Sequence, residues 1–298
     1  MSAAPVLRTA LKTYPHTAAI KDGSLRDPRV TLECADVEPI YKAFAPMAQR
    51  QHYDVSEMAI VTALQAKAYG KPLIILPTVV AARLQQGCIV YNAKRRNMTV
   101  ADLPGARVGV RAYSQTTGMW VRGILAETYG VPLEQVDWVA FEDSHLLEHR
   151  DPSWVTKAGA EQKMLSMLGS GELDCAIFGN DLPSGDGITA LIPDAAAADR
   201  RWYEAHRMVP PNHLVVMRQD VAERDPEALR AVYDLLKRGK EAAPAPVPAD
   251  RLPTGIDALR APLALTLEFC QRQQLLARSL DIDDIFADSM AILEEAGR

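Results

Sequence analysis

A chain of 298 residues is too long for one ordinary core and about right for two domains, and its 48% hydrophobic, 24% charged and 6% aromatic content is that of a globular protein. The formal net charge of -5, with Lys94-Arg95-Arg96 as the one basic block, excludes a nucleic-acid footprint. No run of about 18 apolar residues is present to cross a membrane, and Cys34, Cys88, Cys175 and Cys270 lack the CxxC spacing of zinc or redox sites, which suits four buried, reduced thiols.

In chain order, residues 1–20 hold no apolar core of an export signal, so a cytoplasmic location is expected. A first strand should precede Tyr14-Pro15-His16-Thr17. The spacing then predicts helices over 38–49 and 56–69, the second with Ser56 as N-cap, and strands over 72–76 and 88–91. A polar, basic segment over 91–101 leads to a strand over 107–111. The helix predicted over 116–129 has N-cap types in Ser114, Thr116 and Thr117, an apolar stripe with Trp120, Ile124 and Leu125, and Gly130 then Pro132 as stops. A strand over 136–140, a helix over 160–168 and strands over 175–178 and 213–217 follow. The chain closes with a helix over 226–239, a stiff Pro/Ala spacer over 242–249, and helices over 257–279 and 282–296.

Short apolar runs alternating with helical patterns are the signature of βα units and a largely parallel sheet. Crossings between two lobes are expected at 91–101 and 208–213. Lobe I would then comprise 1–92 and 210–298, and lobe II 93–209.

Several stretches are shared, in order, with a known family. They are Tyr53-Asp54-Val55-Ser56-Glu57-Met58, Leu103-Pro104-Gly105-Ala106-Arg107-Val108-Gly109-Val110, and Tyr113 to Thr116 with Trp120-Val121-Arg122-Gly123-Ile124-Leu125. Gly171-Glu172-Leu173-Asp174-Cys175-Ala176, Pro211-Asn212-His213-Leu214-Val215-Val216 and Pro253-Thr254-Gly255-Ile256-Asp257 complete the set. The chain resembles the 4,5-dihydroxyphthalate decarboxylase family. The resemblance implies an α/β, two-lobed periplasmic-binding-protein type II architecture, with two mixed sheets flanked by helices and a cleft between the lobes. It also implies a cytoplasmic enzyme that removes CO2 from an aromatic carboxylate without an organic cofactor. Where that family usually shows an Arg-x-Phe-Arg-His-Ser stretch, this chain has Ala82-Arg83-Leu84-Gln85-Gln86-Gly87, so an arginine and a histidine give way to Gln85 and Gln86.

Loss of CO2 from an aromatic ring requires an acid to protonate the carbon bearing the carboxylate, and donors to hold the acid group and ring hydroxyls. His16 and His213 are the candidate proton donors. Glu57 could bond a ligand hydroxyl, or act as the acid if burial raises its pKa. Tyr14 and Ser56 are candidate substrate contacts, Ser56 through the helix N-terminus expected there. Tyr113, Ser114, Thr116 and Thr117 offer hydroxyls and backbone amides for a carboxylate. Asn180 and Asp181, at the end of a strand, suit either a ligand contact or a turn. Arg122 is expected in a surface or inter-element salt bridge. His145 and His149 would share a helix face with Asp143 and Glu148 nearby, but no third metal ligand stands at a recognised spacing, so no metal is expected. GxSxG, HExxH, Walker and GxGxxG motifs are lacking.

The favoured reading is a cofactor-independent decarboxylase of a hydroxylated aromatic carboxylate. The alternatives are a non-catalytic binding protein that hands a carboxylate to a transporter or sensor, and another lyase or isomerase on the same fold. Partners are a small aromatic acid and a possible second copy of the chain, with no nucleic acid and no membrane.

Overall fold

A computed structural model describes residues 4–179, 182–185, 187–245, 247–248 and 250–294. The elements begin with β1 (Val6–Ala10), α1 (Ala18–Lys21), β2 (Thr31–Cys34), α2 (Phe44–Arg50), β3 (Val55–Ala59), α3 (Ile60–Ala68), β4 (Leu73–Ala82) and β5 (Ile89–Asn92). They continue with β6 (Arg107–Val110), α4 (Thr116–Tyr129), β7 (Asp137–Ala140), β8 (Val155–Lys157), α5 (Met164–Ser170), β9 (Cys175–Ile177), β10 (Ile188–Ala190) and α6 (Ala195–His206). Last come β11 (Pro211–Arg218), α7 (Gln219–Arg224), α8 (Pro226–Glu241), α9 (Ile256–Arg272) and α10 (Ile282–Glu294).

The chain divides into two compact units: Met1–Ala82, Pro211–Leu265 and Leu276–Arg298 form unit 1, and Arg83–Pro210 with Thr266–Leu275 forms unit 2. The first boundary lies before β5, because β5 joins the second sheet through β9 and β10.

Unit 1 is built on a five-stranded sheet of order β2-β1-β3-β11-β4, with β1 parallel to β2 and β3, and β11 antiparallel to β3 and β4. Helix α8 covers it, contributing Leu229, Val232, Leu235 and Leu236 to a core with Leu7, Val55, Ile74, Val215 and Met217. Its start is fixed by Pro226 in the first turn and by the Asp225 carboxylate, which accepts from the Ala228 amide. In β4 the pairing jumps from Val215 opposite Leu76 to Leu214 opposite Val79. Pro77 sits in that jump with no N–H to give the ladder, and its carbonyl accepts instead from Gly255.

Unit 2 carries a six-stranded sheet of order β10-β5-β9-β6-β7-β8, parallel through β9, β6, β7 and β8 and antiparallel at β5 and β10. Helix α4 ends as expected at Gly130, whose φ of 68° is left-handed. Its Gly123 lies against Phe269, leaving no room for a Cβ.

Several expected elements are corrected. The helix over 56–69 is strand β3 followed by α3: all five β3 residues are buried, so the strand lacks the alternation that would have marked it. The helix over 38–49 is a short 3-10 turn, Ile40–Ala43, and then α2. The expected helix over 257–279 stops at Arg272, and Gln274 adopts a left-handed φ of 55°. Residues 145–149 are not helical. In the 242–249 spacer, residues 246 and 249 lie outside those described, and 242–245 are turns and bends. Cys34 is half-buried, the other three cysteines buried.

Candidate active site

The antiparallel pairing of β3 with β11 sets Glu57 opposite Val215 and His213 opposite Ala59. Glu57 and His213 are therefore diagonal neighbours on one face of the sheet, within reach of long side chains. Their Oε1 and Nδ1 atoms are 2.6 Å apart. The same Oε1 accepts from the Tyr14 hydroxyl at 2.7 Å, and Oε2 from the Lys12 amide at 2.9 Å. Glu57 has no exposed surface. Burial pushes its pKa up, but the bonds from His213, Lys12 and Tyr14 and the His213 charge outweigh this and hold it below the usual carboxylate range.

An ionised Glu57 can only accept, so His213 Nδ1 carries a proton and donates it. The imidazole stands edge-on to Phe44, centroids 5.1 Å apart. Its side chain keeps 19% of its surface exposed, and among the described residues Nε2 has no protein partner. Nε2 is thus the ring nitrogen left open. Tyr14 stays protonated, because burial and the neighbouring Glu57 charge raise its pKa.

Glu57 is thus buried with both oxygens engaged, and its bonds favour the ionised form. Ser56 caps no helix: it lies in β3, fully buried, and its hydroxyl meets the Glu57 carbonyl. Helix α3 begins only at Ile60, after Ala59.

His16 stacks on Tyr14 with the rings 2° from parallel, and its Nε2 donates to the Val80 carbonyl at 3.0 Å. Burial lowers its pKa, so the ring is neutral and its N–H is already spent on the backbone.

A group that sequence reasoning missed is Lys240, in the last turn of α8. Its ammonium donates to Thr254 Oγ1 at 2.6 Å, Thr78 Oγ1 at 2.8 Å and the Leu252 carbonyl at 3.0 Å. These acceptors are neutral, and burial lowers the pKa to about 7. Nothing in the Arg-Gly-Lys-Glu context marks this lysine off from an ordinary surface one; an antiparallel bridge sets Thr78 beside Thr254, and both hydroxyls meet the ammonium.

In unit 2, Tyr113, Ser114, Thr116 and Thr117 are all buried at the start of α4. Gln115 is the N-cap, with no side-chain cap bond. Ser114 Oγ lies 3.1 Å from Ser144 Oγ, Thr117 Oγ1 accepts from Arg83 Nη2 at 2.6 Å, and the Tyr113 hydroxyl accepts from Trp154 Nε1 at 3.0 Å. Arg122 is not in a surface salt bridge: it is wholly buried. Gln85 and Gln86 are also buried, with the Gln86 backbone N–H donating to Asp199 and its Oε1 accepting from the Tyr129 hydroxyl. Asn180 and Asp181 lie outside the described residues. His149 Nε2 lies 3.4 Å from Asp151, and among the described residues no group of His, Cys, Asp and Glu could hold a metal ion. Nor is any described helix long and apolar enough to cross a membrane.

The two mixed sheets and their helices define a periplasmic-binding-protein fold. The chain matches the periplasmic sulfonate-binding protein SsuA of Methylobacillus flagellatus with a TM-score of 0.56 at 12% identity, over 100% of this chain and 96% of that one. It matches the desulfurization enzyme DSZB, bound to biphenyl-2-sulfinic acid, with a TM-score of 0.55 at 12% identity, over 98% and 99%. At such identities the likeness is one of fold alone. In sequence, the chain is 30% identical over 216 residues to the 4,5-dihydroxyphthalate decarboxylase of Pseudomonas putida, covering 67% of this chain and 81% of that protein. It is 26% identical over 254 residues to that of Comamonas testosteroni, covering 80% and 75%. The chain belongs to the 4,5-dihydroxyphthalate decarboxylase family, as its motifs indicated, and is a carboxy-lyase by that membership. No family model matches it.

Proposed function

We propose that the protein decarboxylates a hydroxylated aromatic carboxylate, with His213 as the proton donor and without an organic cofactor. The observation that carries this reading is the fully buried Glu57 carboxyl bonded to His213 Nδ1, in a chain whose relatives are named decarboxylases; its hydrogen bonds favour the ionised form. Glu57 fixes the imidazole tautomer and stabilises the imidazolium, in the manner of a carboxylate behind a catalytic histidine. Protonated His213 gives the Nε2 proton to the ring carbon that bears the carboxylate. The C–C bond then breaks, its electron pair returns to the ring, and CO2 leaves. Atoms and charge balance without an oxidant or reductant, and the imidazole is reprotonated from solvent. Tyr14 and the Lys12 amide act through Glu57, and His16 acts through its stack on Tyr14. Within unit 2, the buried hydroxyls of Ser114, Thr116 and Thr117 beside Arg83 are the proposed carboxylate contact.

The test is CO2 release from purified protein offered 4,5-dihydroxyphthalate and a panel of mono- and dihydroxybenzoates. In D2O the product should carry one deuterium at the vacated carbon. Absence of CO2 release across the panel overturns the reading, and binding of an acid without turnover would favour the non-catalytic alternative.

A further inference from the structure

The largest unexplained charge in unit 2 is Arg122. It has no exposed surface and, among the described residues, no acid within salt-bridge distance. Asp151 acts on it only through space, being engaged with His149 and Lys157. Its bonds go to neutral acceptors: Nε donates to Gln273 Oε1 at 2.7 Å, and Nη2 to the Tyr113 carbonyl. Gln273 is itself held by the Met119 carbonyl at 2.9 Å. The guanidinium lies 3.9 Å over the Tyr113 ring and 5.4 Å from that of Trp138, which spreads its charge but does not neutralise it. Nη1 is buried with no partner.

The position of Nη1 is informative. A Cβ on Gly118 would stand 2.9 Å from it, so the cation is pressed against the first turn of α4 where glycine alone lets it approach. That turn already presents the positive end of the helix dipole. Two positive potentials therefore reinforce each other inside a low-dielectric core, and among the described residues Asp151 favours the charge only through space, with no carboxylate in contact. Such an arrangement is costly unless an anion arrives at the loop above it.

We infer that Arg122 is a positioning residue that shapes the Tyr113–Thr117 loop and charges the first turn of α4 to hold the carboxylate of an aromatic acid. The inference rests on the reading above that this loop meets the substrate's acid group. Arg122 acts through Tyr113 and the helix start, not by touching the ligand.

Thermal unfolding of the whole protein with 4-hydroxybenzoate, and with the neutral 4-hydroxybenzamide, separates this from a purely structural role. The acid should raise the melting temperature of the wild type by about 3 °C at saturating concentration, and the amide should not. Arg122→Met should melt below wild type without ligand, because Gln273 Oε1 and the Tyr113 carbonyl lose their buried donor, and it should lose the response to the acid. Its KM should rise about tenfold, with a much smaller change in kcat. A folded Arg122→Met that still responds to the acid as wild type does would overturn the inference, whatever its own melting temperature, as would a wild type indifferent to the acid. If the methionine variant does not fold, Arg122→Lys decides: a retained response supports the role of the charge, and a lost response in a folded variant refutes it. The decarboxylase reading fails separately, only if CO2 release is also absent.

Discussion

Glu57 Oε1 and His213 Nδ1 meet at 2.6 Å as diagonal neighbours on two antiparallel strands, the carboxylate wholly buried and the imidazole partly open. If this pair acts as a unit, Glu57→Gln should lower kcat by about 10³-fold with little change in KM, since the amide can leave the ring in the wrong tautomer. His213→Gln should cost at least as much, and the double variant no more than His213→Gln alone. CO2 release under saturating substrate measures all three.

The same carboxylate should give stability a dependence on acid. Its folded pKa lies below the unfolded value near 4.3, so its stabilisation is present above that pH and is lost as pH falls through the lower, folded value. Urea unfolding between pH 3 and 7 should show wild type losing stability more steeply than Glu57→Gln below about pH 4.

Lys240 should act in the opposite range. Folded, it releases its proton near pH 7, while in the unfolded chain it keeps it to about 10.5. The unfolded state binds more protons in that window, so this group makes stability rise with pH from about 7 to 10.5. Lys240→Met should lack the rise, read as the difference between wild-type and variant urea midpoints at pH 7 and pH 10.

Gly123→Ala should destabilise unit 2. The new methyl would coincide with the Phe269 ring, and overpacking of this kind costs about 1–3 kcal/mol. Combining it with Phe269→Ala should cost less than the sum of the two single changes, a coupling that urea unfolding of the four proteins would reveal.

How much of this was legible in the sequence differs by element. Helix α4 was readable to the residue, because its amphipathic stripe and Gly130 are local signals. Strand β3 was not: a strand covered on both faces has no period of two, and Val55–Ala59 runs straight into an apolar helix. That misreading carried Ser56 and Glu57 to a helix start and hid their relation to His213, although all three stand in the shared motifs. His16 was singled out, but its bond to the Val80 carbonyl, 64 residues away, could not be read from local sequence. Lys240 and Arg122 were missed or misplaced for the same reason: charged residues are normally solvated, and only tertiary contacts reveal that these are enclosed.

Thr266–Leu275 belongs with unit 2 although more than fifty residues of unit 1 separate it from Pro210. During synthesis, a ribosome that has released α4 has yet to make Phe269 and Gln273, the partners of Gly123 and Arg122. Unit 2 must therefore wait, incompletely packed, until nearly the whole polypeptide has emerged, and a gene fragment ending at residue 210 would encode a body with its closing piece absent.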